Sequence, residues 1–595
     1  MESRYKSYKS YKSWLSTHLF KNWPVFIAVI GSIVVMTVMK TFIPIIIGDF
    51  INNIIATSQV TKLITLLLII LTLYFSTTAM DYISMITGHY LGLTTEKNMR
   101  KEFFDIIQYK SLKFHDNAKV GDLQALATND LRTVNAMISH GSFYVYPFVY
   151  ALIVTIFLID LLNLILGLIL IPFVIIYIYT ILYYRKSIAP YVAAKVQKHS
   201  DLSVVLQDNI TGASVVKTFV AIKKERKKFH KAVNAFRDVW IGENNVQSKY
   251  YPMLVLYITI GTMFIISCYL VAQNMLSIGT LVSINLILAT LIDPTNTLYW
   301  ATKDMMIGFA ACRRVFRNLS KEKSEGVGEN LENVPNRFNG EIIFKNVSFS
   351  YGNSSENYPN VLNNLSFKIK PKEKISLVGP TGCGKSTLAK LILSLYKPQK
   401  GEILLDGKDI NTFEPEVLRK HIGYVEQDTY LFPRSIKENI RFGKPEASNK
   451  EILHASKLAQ VDDFVKNLQK GYDTIVGERG TRLSGGEKQR VSIARALLTD
   501  PEIIILDDSV SAVDSETEKK IGKAINNVLK ERTTIIITHR LKTIINSDKI
   551  LVLRKGQIVA EGTHEELIRS SVDYRRIFGK HINLPEMELE IGVGD

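Results

Sequence analysis

Cysteine is scarce in this chain of 595 residues: there are three, Cys268, Cys312 and Cys383, far apart and without metal-ligand spacing. That argues against a secreted disulfide scaffold and a cysteine-built metal site, and it fits a reduced compartment. Acidic residues fall short of basic ones, 56 against 73, leaving a formal net charge of +17. An excess of that size can mean nucleic acid, but the basic residues lie mainly between apolar spans, where positively charged cytoplasmic loops belong. Their placement argues against nucleic acid as a partner. Charge of either sign is missing from 22–39, 63–80, 141–159, 161–184 and 250–292. A small-residue cleavage site is also missing after the basic start MESRYKSYKSYKSWLSTHLFKNW. A retained membrane segment is therefore expected in place of a removed signal.

What is present divides the chain in two. Its length exceeds one hydrophobic core, and although 47% of it is hydrophobic, nearly all the long apolar runs lie before residue 312. The uncharged runs are long enough to cross a bilayer, and the last is too long for one crossing, dividing near Gln273 to Gly279. Six spans follow, at about 22–46, 63–92, 139–160, 161–184, 250–272 and 277–312, within an all-α transmembrane domain over 1–317. Lys and Arg crowd the amino terminus, Lys97 to Arg132 and Arg185 to Lys249, and are almost absent from the other connectors. That asymmetry puts both termini in the cytoplasm of a multi-pass protein of the cell membrane. The basic connectors keep helical periodicity, so the spans are expected to continue as helices to tips at 114–122 and 211–219, each a candidate for docking on a cytoplasmic domain. Residues 14–23 read as an interfacial elbow on the cytoplasmic leaflet, or else as part of a disordered basic tail.

Ionisable residues within the spans are Lys40, Asp81 and Asp293. Each is costly in lipid and is expected to face an internal cavity, unless it marks a helix end at the headgroups. The tyrosines of the spans either line an amphipathic pocket or pack against one another.

After Arg317 a polar linker, 318–337, leads to alternating strands and helices over 338–580, an α/β P-loop domain with a helical subdomain, and an acidic-apolar tail over 581–595. GPTGCGKST follows the strand ISLV and opens a helix. Its Gly379, Pro380, Thr381, Gly382, Cys383, Gly384, Lys385, Ser386 and Thr387 form a loop that bends around phosphates, with Lys385 reaching the outer phosphates and Ser386 holding Mg²⁺. Further on, the strand IIIL ends in Asp507, placed to hold the magnesium shell. LSGGEKQR lies between, where Ser484, Gly485 and Gly486 open a helical run and offer a hydroxyl and free amides to a phosphate; alone it is also a plain helix cap.

In that order and spacing the chain resembles an ATP-binding cassette exporter half-transporter, membrane domain first. The resemblance implies ATP and Mg²⁺ as cofactors, with Tyr351 stacking on adenine, Gln427 sensing magnesium, Gln489 and Asp514 (in SAVD) beside the nucleotide, and His539 touching the γ-phosphate. VGERG before the signature is the exporter's version of the stretch that speaks to membrane helices, and the absence of a domain before the first span is unlike peptide-processing transporters. In this family two cassettes meet head to tail, each ATP lying between one chain's P-loop and the other's signature. The implied function is ATP-driven export of an amphipathic substrate by alternating access.

One position departs from the family. After Asp507 comes Asp508, where the family has the Glu that activates water. A carboxylate one methylene shorter leaves its oxygens on the order of 1 Å out of place, enough to cost about a hundredfold in rate. In heterodimeric exporters the subunit with Asp here keeps an intact signature, as this chain does, and its partner carries the Glu with an altered one. A subunit with a weak site of its own, completing a partner's, is the expected reading; a homodimer using Asp508 as a slow base, or an ATP-gated channel, are the alternatives.

Overall fold

The computed structural model describes residues 8–57, 60–141, 145–320, 335, 337–352, 359–508, 529 and 531–578. The described residues form two compact units, one from 5–109 with 118–321 and one from 110–117 with 322–595.

The first unit is helical. It contains α1 Tyr11–Phe20, α2 Trp23–Thr57, α3 Val60–Gln108, α5 Val120–Ala125, α6 Leu131–His140, α7 Tyr146–Leu162, α8 Leu164–Thr211, α9 Ala213–Thr218, α10 Ile222–Ser248, α11 Tyr251–Ala272, α12 Ile278–Ala289 and α13 Ile292–Ser320, with α4 Leu112–Asn117 belonging to the other unit. Among the described residues, five helical stretches are long and apolar enough to cross a membrane, and α7 is a shorter apolar helix. α3 and α8 run for 49 and 48 residues, far past their apolar portions. Hydrogen bonds of the helix continue through sequence that lipid would not accept, so these helices extend beyond the bilayer.

Two expected boundaries shift for identifiable reasons. The last span is interrupted by a turn at 290–291, just before Asp293 and Pro294, and restarts as α13. Proline brings no N–H and suits the first turn of a helix, not its interior. The elbow begins earlier than expected, at Tyr11, and Trp14 is fully buried instead of lying at the interface. The Trp14 indole N–H donates to Glu102 of α3 at 3.1 Å, His18 bonds the same carboxylate, and the ring packs near Phe316 of α13. Phe20 and Trp23, at the other end, stay exposed. Glu102 thus bolts α1 to the bundle. The core here joins Trp14, Ile33, Leu91, Met99, Val134 and Val315.

The second unit is a layered α/β domain. Strands β1 Ile342–Phe349, β2 Leu362–Ile369, β4 Lys400–Leu405 and β5 Lys408–Asp409 form an antiparallel sheet in the order β2-β1-β4-β5. Strands β3 Lys374–Val378, β6 Ile422–Val425, β7 Ile503–Asp507, β8 Thr533–Ile537, β9 Lys549–Arg554 and β10 Gln557–Gly562 form a second sheet, β10-β9-β3-β8-β7-β6. It is parallel except for β10. β7 reads as a continuous apolar run because it is buried along its whole length. The core between the sheets includes Phe344, Ile375, Leu388, Ile403, Ile505 and Ile535. Leu112 of α4 packs on this core, Phe114 is buried, and the Tyr396 hydroxyl bonds Asp116. Residues 114–117 of the first expected tip thus belong to this unit.

Candidate nucleotide and transport sites

Strand register brings the motifs together. Leu377 of β3 pairs with Ile537 of β8, Ile537 with Asp507 of β7, and Leu506 with Val425 of β6. The strands end at one level, so the loop after β3, His539 after β8, Asp508 after β7 and Gln427 after β6 share the carboxyl edge of the sheet. That edge is where open parallel sheets bind ligands. β8 lies between the P-loop strand and the Asp507 strand, and this insertion is what places His539 between the two motifs.

The loop from Gly379 to Gly384 leads into α14, Lys385–Ile392. Gly384 holds φ at 109°, and a Cβ there would come within 2.5 Å of Leu362 Cδ2, so both backbone angle and space call for glycine. The Lys385 ammonium donates to the carbonyl oxygens of Gly379 at 2.7 Å and Pro380 at 3.0 Å, spanning the loop. Cys383 is buried beside it, its sulfur 3.8 Å from Nζ.

Asp507 is buried and hydrogen-bonded to Ser386. Burial raises its carboxyl above the usual range and the charge of Asp508 adds to this, while Ser386, Lys385 and Lys390 oppose it. The Tyr424 hydroxyl also bonds Asp507, and burial lifts that phenol well above its ordinary value. Asp508 sits at φ 44°, a left-handed conformation rare for non-glycine residues, and its amide donates to the Ile537 carbonyl at 2.7 Å. His539 is lowered from its ordinary value, first by partial burial and next by the charge of Lys385, with Asp508 opposing. Asp508 and His539 thus share one electrostatic environment with Lys385.

Tyr351 is braced from three sides. Its hydroxyl bonds Thr387 Oγ1 at 3.0 Å, Tyr396 meets its ring edge-on at 5.2 Å, and Lys390 Nζ lies 5.7 Å from its centroid. Ser484 caps the helix Gly485–Leu497 in a capping box: its side chain accepts from the Glu487 amide, and Glu487 accepts from the Ser484 amide at 2.7 Å. Ser484 and Gly485 are exposed, Gly486 is buried, and Gln489 is buried with its Oε1 unpartnered among the described residues. Asp514 and the SAVD segment, most of the linker, Tyr144 and the tail lie outside the described residues.

Sequence reading missed Lys390 and Tyr424. Lys390 follows Ser386 by four residues on α14, one turn along the same face, and helical spacing alone would have pointed to it. Tyr424 is one residue from the end of β6 and reaches Asp507 only because β6 neighbours β7, which no local pattern reveals.

In the helical unit, Lys40 of α2, Asp81 of α3 and Asp293 of α13 line one cavity of about 690 Å³. Tyr74, Thr77, Thr78, Asp81, Ser84 and Met85 form its α3 wall, a stripe at helical spacing.

Comparison with known proteins agrees with this geometry. The family description "ABC transporter" matches residues 362–511, and "ABC transporter transmembrane region" matches 26–295. The chain is 31% identical over 526 residues, 88% of it and 90% of the relative, to the "putative multidrug export ATP-binding/permease protein YgaD" of Bacillus subtilis (strain 168). It is 31% identical over 533 residues, 89% of it and 87% of the relative, to an "ATP-dependent lipid A-core flippase" of Syntrophus aciditrophicus (strain SB). Among solved structures, a bacterial Atm1-family ABC exporter with ATP bound superposes with a TM-score of 0.84 at 29% identity, covering 95% of this chain and 100% of that one. A helical membrane domain fused to a P-loop ATP-binding domain, matched along nearly the whole chain, makes this chain a member of the ABC transporter family, a multi-pass, ATPase-coupled exporter half-transporter that binds ATP.

Proposed function

We propose that this chain is one subunit of a heterodimeric exporter of amphipathic substrates in the cell membrane, with both termini and the ATP-binding domain in the cytoplasm. Its P-loop site binds MgATP mainly to hold the dimer, and Ser484 to Gly486 complete the partner's hydrolytic site. The observation that carries this is Asp508: it follows the magnesium aspartate directly, lies in the field of Lys385 and His539, and is one methylene shorter than the family's base. The donor set suits Mg²⁺, since the Ser386 hydroxyl and the Asp507 carboxylate already face one another and Gln427 follows the adjoining strand by two residues. The metal would draw off charge from the phosphates. Within this chain, Lys385 neutralises, Tyr351 offers a ring to the base and Asp508 orients water poorly.

Two exposed surfaces support a partner. Ser484 and Gly485 present a capped helix start with nothing of this chain described over it. At the second tip, Val215, Phe219 and Val220 are 57%, 77% and 82% exposed, unlike the buried Phe114 of the first. A second copy or a homologous subunit would cover such residues.

The retained His539 favours a second reading, a homodimer in which Asp508 is a slow base. Tagged purification from the native membrane separates the two. Co-purification of a second cassette chain with Glu at the matching position supports the heterodimer; recovery of this chain alone, hydrolysing ATP as fast as its Asp508→Glu variant, supports the homodimer.

A further inference from the structure

The cavity in the helical unit has a charge pattern that narrows the cargo. Asp81, Asp293 and Lys40 reach it from three different helices, and no ion pair joins any of them to another side chain among the described residues. Two carboxylates therefore stand against one ammonium. His89 and His140 also border the space, and His140 is already bonded to Asp304. A charge inside a membrane domain is retained at a cost unless a partner neutralises it, and an unpaired one marks a pathway or ligand. At about 690 Å³ the space suits a drug-sized molecule. Met36 and Met85, long, flexible and polarizable, line the same walls and adapt to apolar groups of varied shape.

We infer that the cavity takes a cation-bearing amphiphile, its protonated amine neutralised by Asp81 and Asp293 and its apolar portion against the methionines, with Lys40 disfavouring a second positive charge and accepting an anionic group on the same molecule. This rests on the export reading and names the class of its cargo. An anionic amphiphile would meet two like charges for one opposite one. A neutral one would leave both carboxylates unmatched.

The test uses the full-length assembly in nanodiscs, with empty discs subtracted, and equilibrium binding of four labelled probes: dodecylammonium, dodecanol, dodecanoate and lysophosphatidylethanolamine. Dodecylammonium is expected to bind at least about tenfold more tightly than dodecanol or dodecanoate, the scale of one ionic contact of about 1.4 kcal/mol. Asp81→Asn with Asp293→Asn abolishes that preference, Asp81→Glu with Asp293→Glu keeps it, and Lys40→Gln widens it. Lysophosphatidylethanolamine binding as tightly as dodecylammonium identifies an aminolipid as the source of the amine; weaker binding identifies a free amine. Equal binding of dodecanoate and dodecylammonium, or a preference that survives the double Asn variant, overturns the inference. The export reading fails separately: dodecylammonium that binds but is never moved by ATP leaves the cation site standing, and ATP-driven movement of dodecanoate does the reverse.

Discussion

The amide of Asp508 donates to the carbonyl of Ile537 at 2.7 Å, tying the residue in the catalytic position to the strand that ends two residues before His539. Asp507, one residue earlier, is still in the ladder and buried, whereas Asp508 has turned to φ 44° and left the sheet. Two consecutive aspartates therefore have different settings, the first fixed by packing and the second held in a left-handed turn.

Because the backbone, not the side chain, holds Asp508 in place, Asp508→Glu should fold normally and extend the carboxylate by one methylene. We expect ATP turnover at this chain's own site to rise by up to about a hundredfold, the cost of a 1 Å misplacement. Phosphate release from the assembly carrying an inactivated partner site measures it; no gain means that the short side chain is not what limits hydrolysis.

Tyr351 should contribute to nucleotide affinity through its ring and little through its hydroxyl. Tyr351→Ala is expected to weaken ATP binding about five- to tenfold, for loss of one stacking contact worth roughly 1 kcal/mol, while Tyr351→Phe stays close to wild type despite losing the Thr387 bond. Equilibrium titration with a fluorescent ATP analogue distinguishes the two.

His539 starts below its ordinary value of 6.5, held down by partial burial and by Lys385. Phosphate anions arriving beside it favour the imidazolium and raise its pKa, so binding takes up a proton. By linkage, ATP affinity then increases as pH falls through the interval between the two values. Calorimetry in buffers of different ionisation enthalpy should detect this uptake, and His539→Gln should remove it.

Glu243 is buried, with Lys195 and Lys303 each 2.7 Å from one of its oxygens. Glu243→Gln leaves two ammonium groups without their counter-charge, which should cost about 3–5 kcal/mol of the helical unit's stability. A large drop in thermal midpoint is the expected readout; a change within error would mean that water already compensates both lysines.

The nucleotide site was legible because its chemistry is local. Gly379–Thr387 and Ser484–Gly486 are consecutive residues whose loop and cap geometry follow from their own backbones. Five span-length apolar helices among the described residues were legible for a similar reason, since bilayer thickness fixes their length. Pro294 locates the broken sixth helix only after the fact, because proline also occurs inside unbroken helices, as Pro44 does in α2. Trp14 misled because an amphipathic aromatic suits both an interface and a pocket, and only the distant Glu102 decides between them. That Lys40, Asp81 and Asp293 each face a cavity was expected from cost alone, but their convergence on one cavity, and the wall that Thr77, Ser84 and Met85 build around them, depend on how α2, α3 and α13 pack.

The most direct test of the central claim is a matched pair of P-loop substitutions in the purified complex. Lys385→Ala in this chain should reduce ATP turnover far less than the corresponding Lys→Ala in its partner, since the partner's P-loop faces the Glu and this chain's signature. Equal losses from the two substitutions would contradict the account.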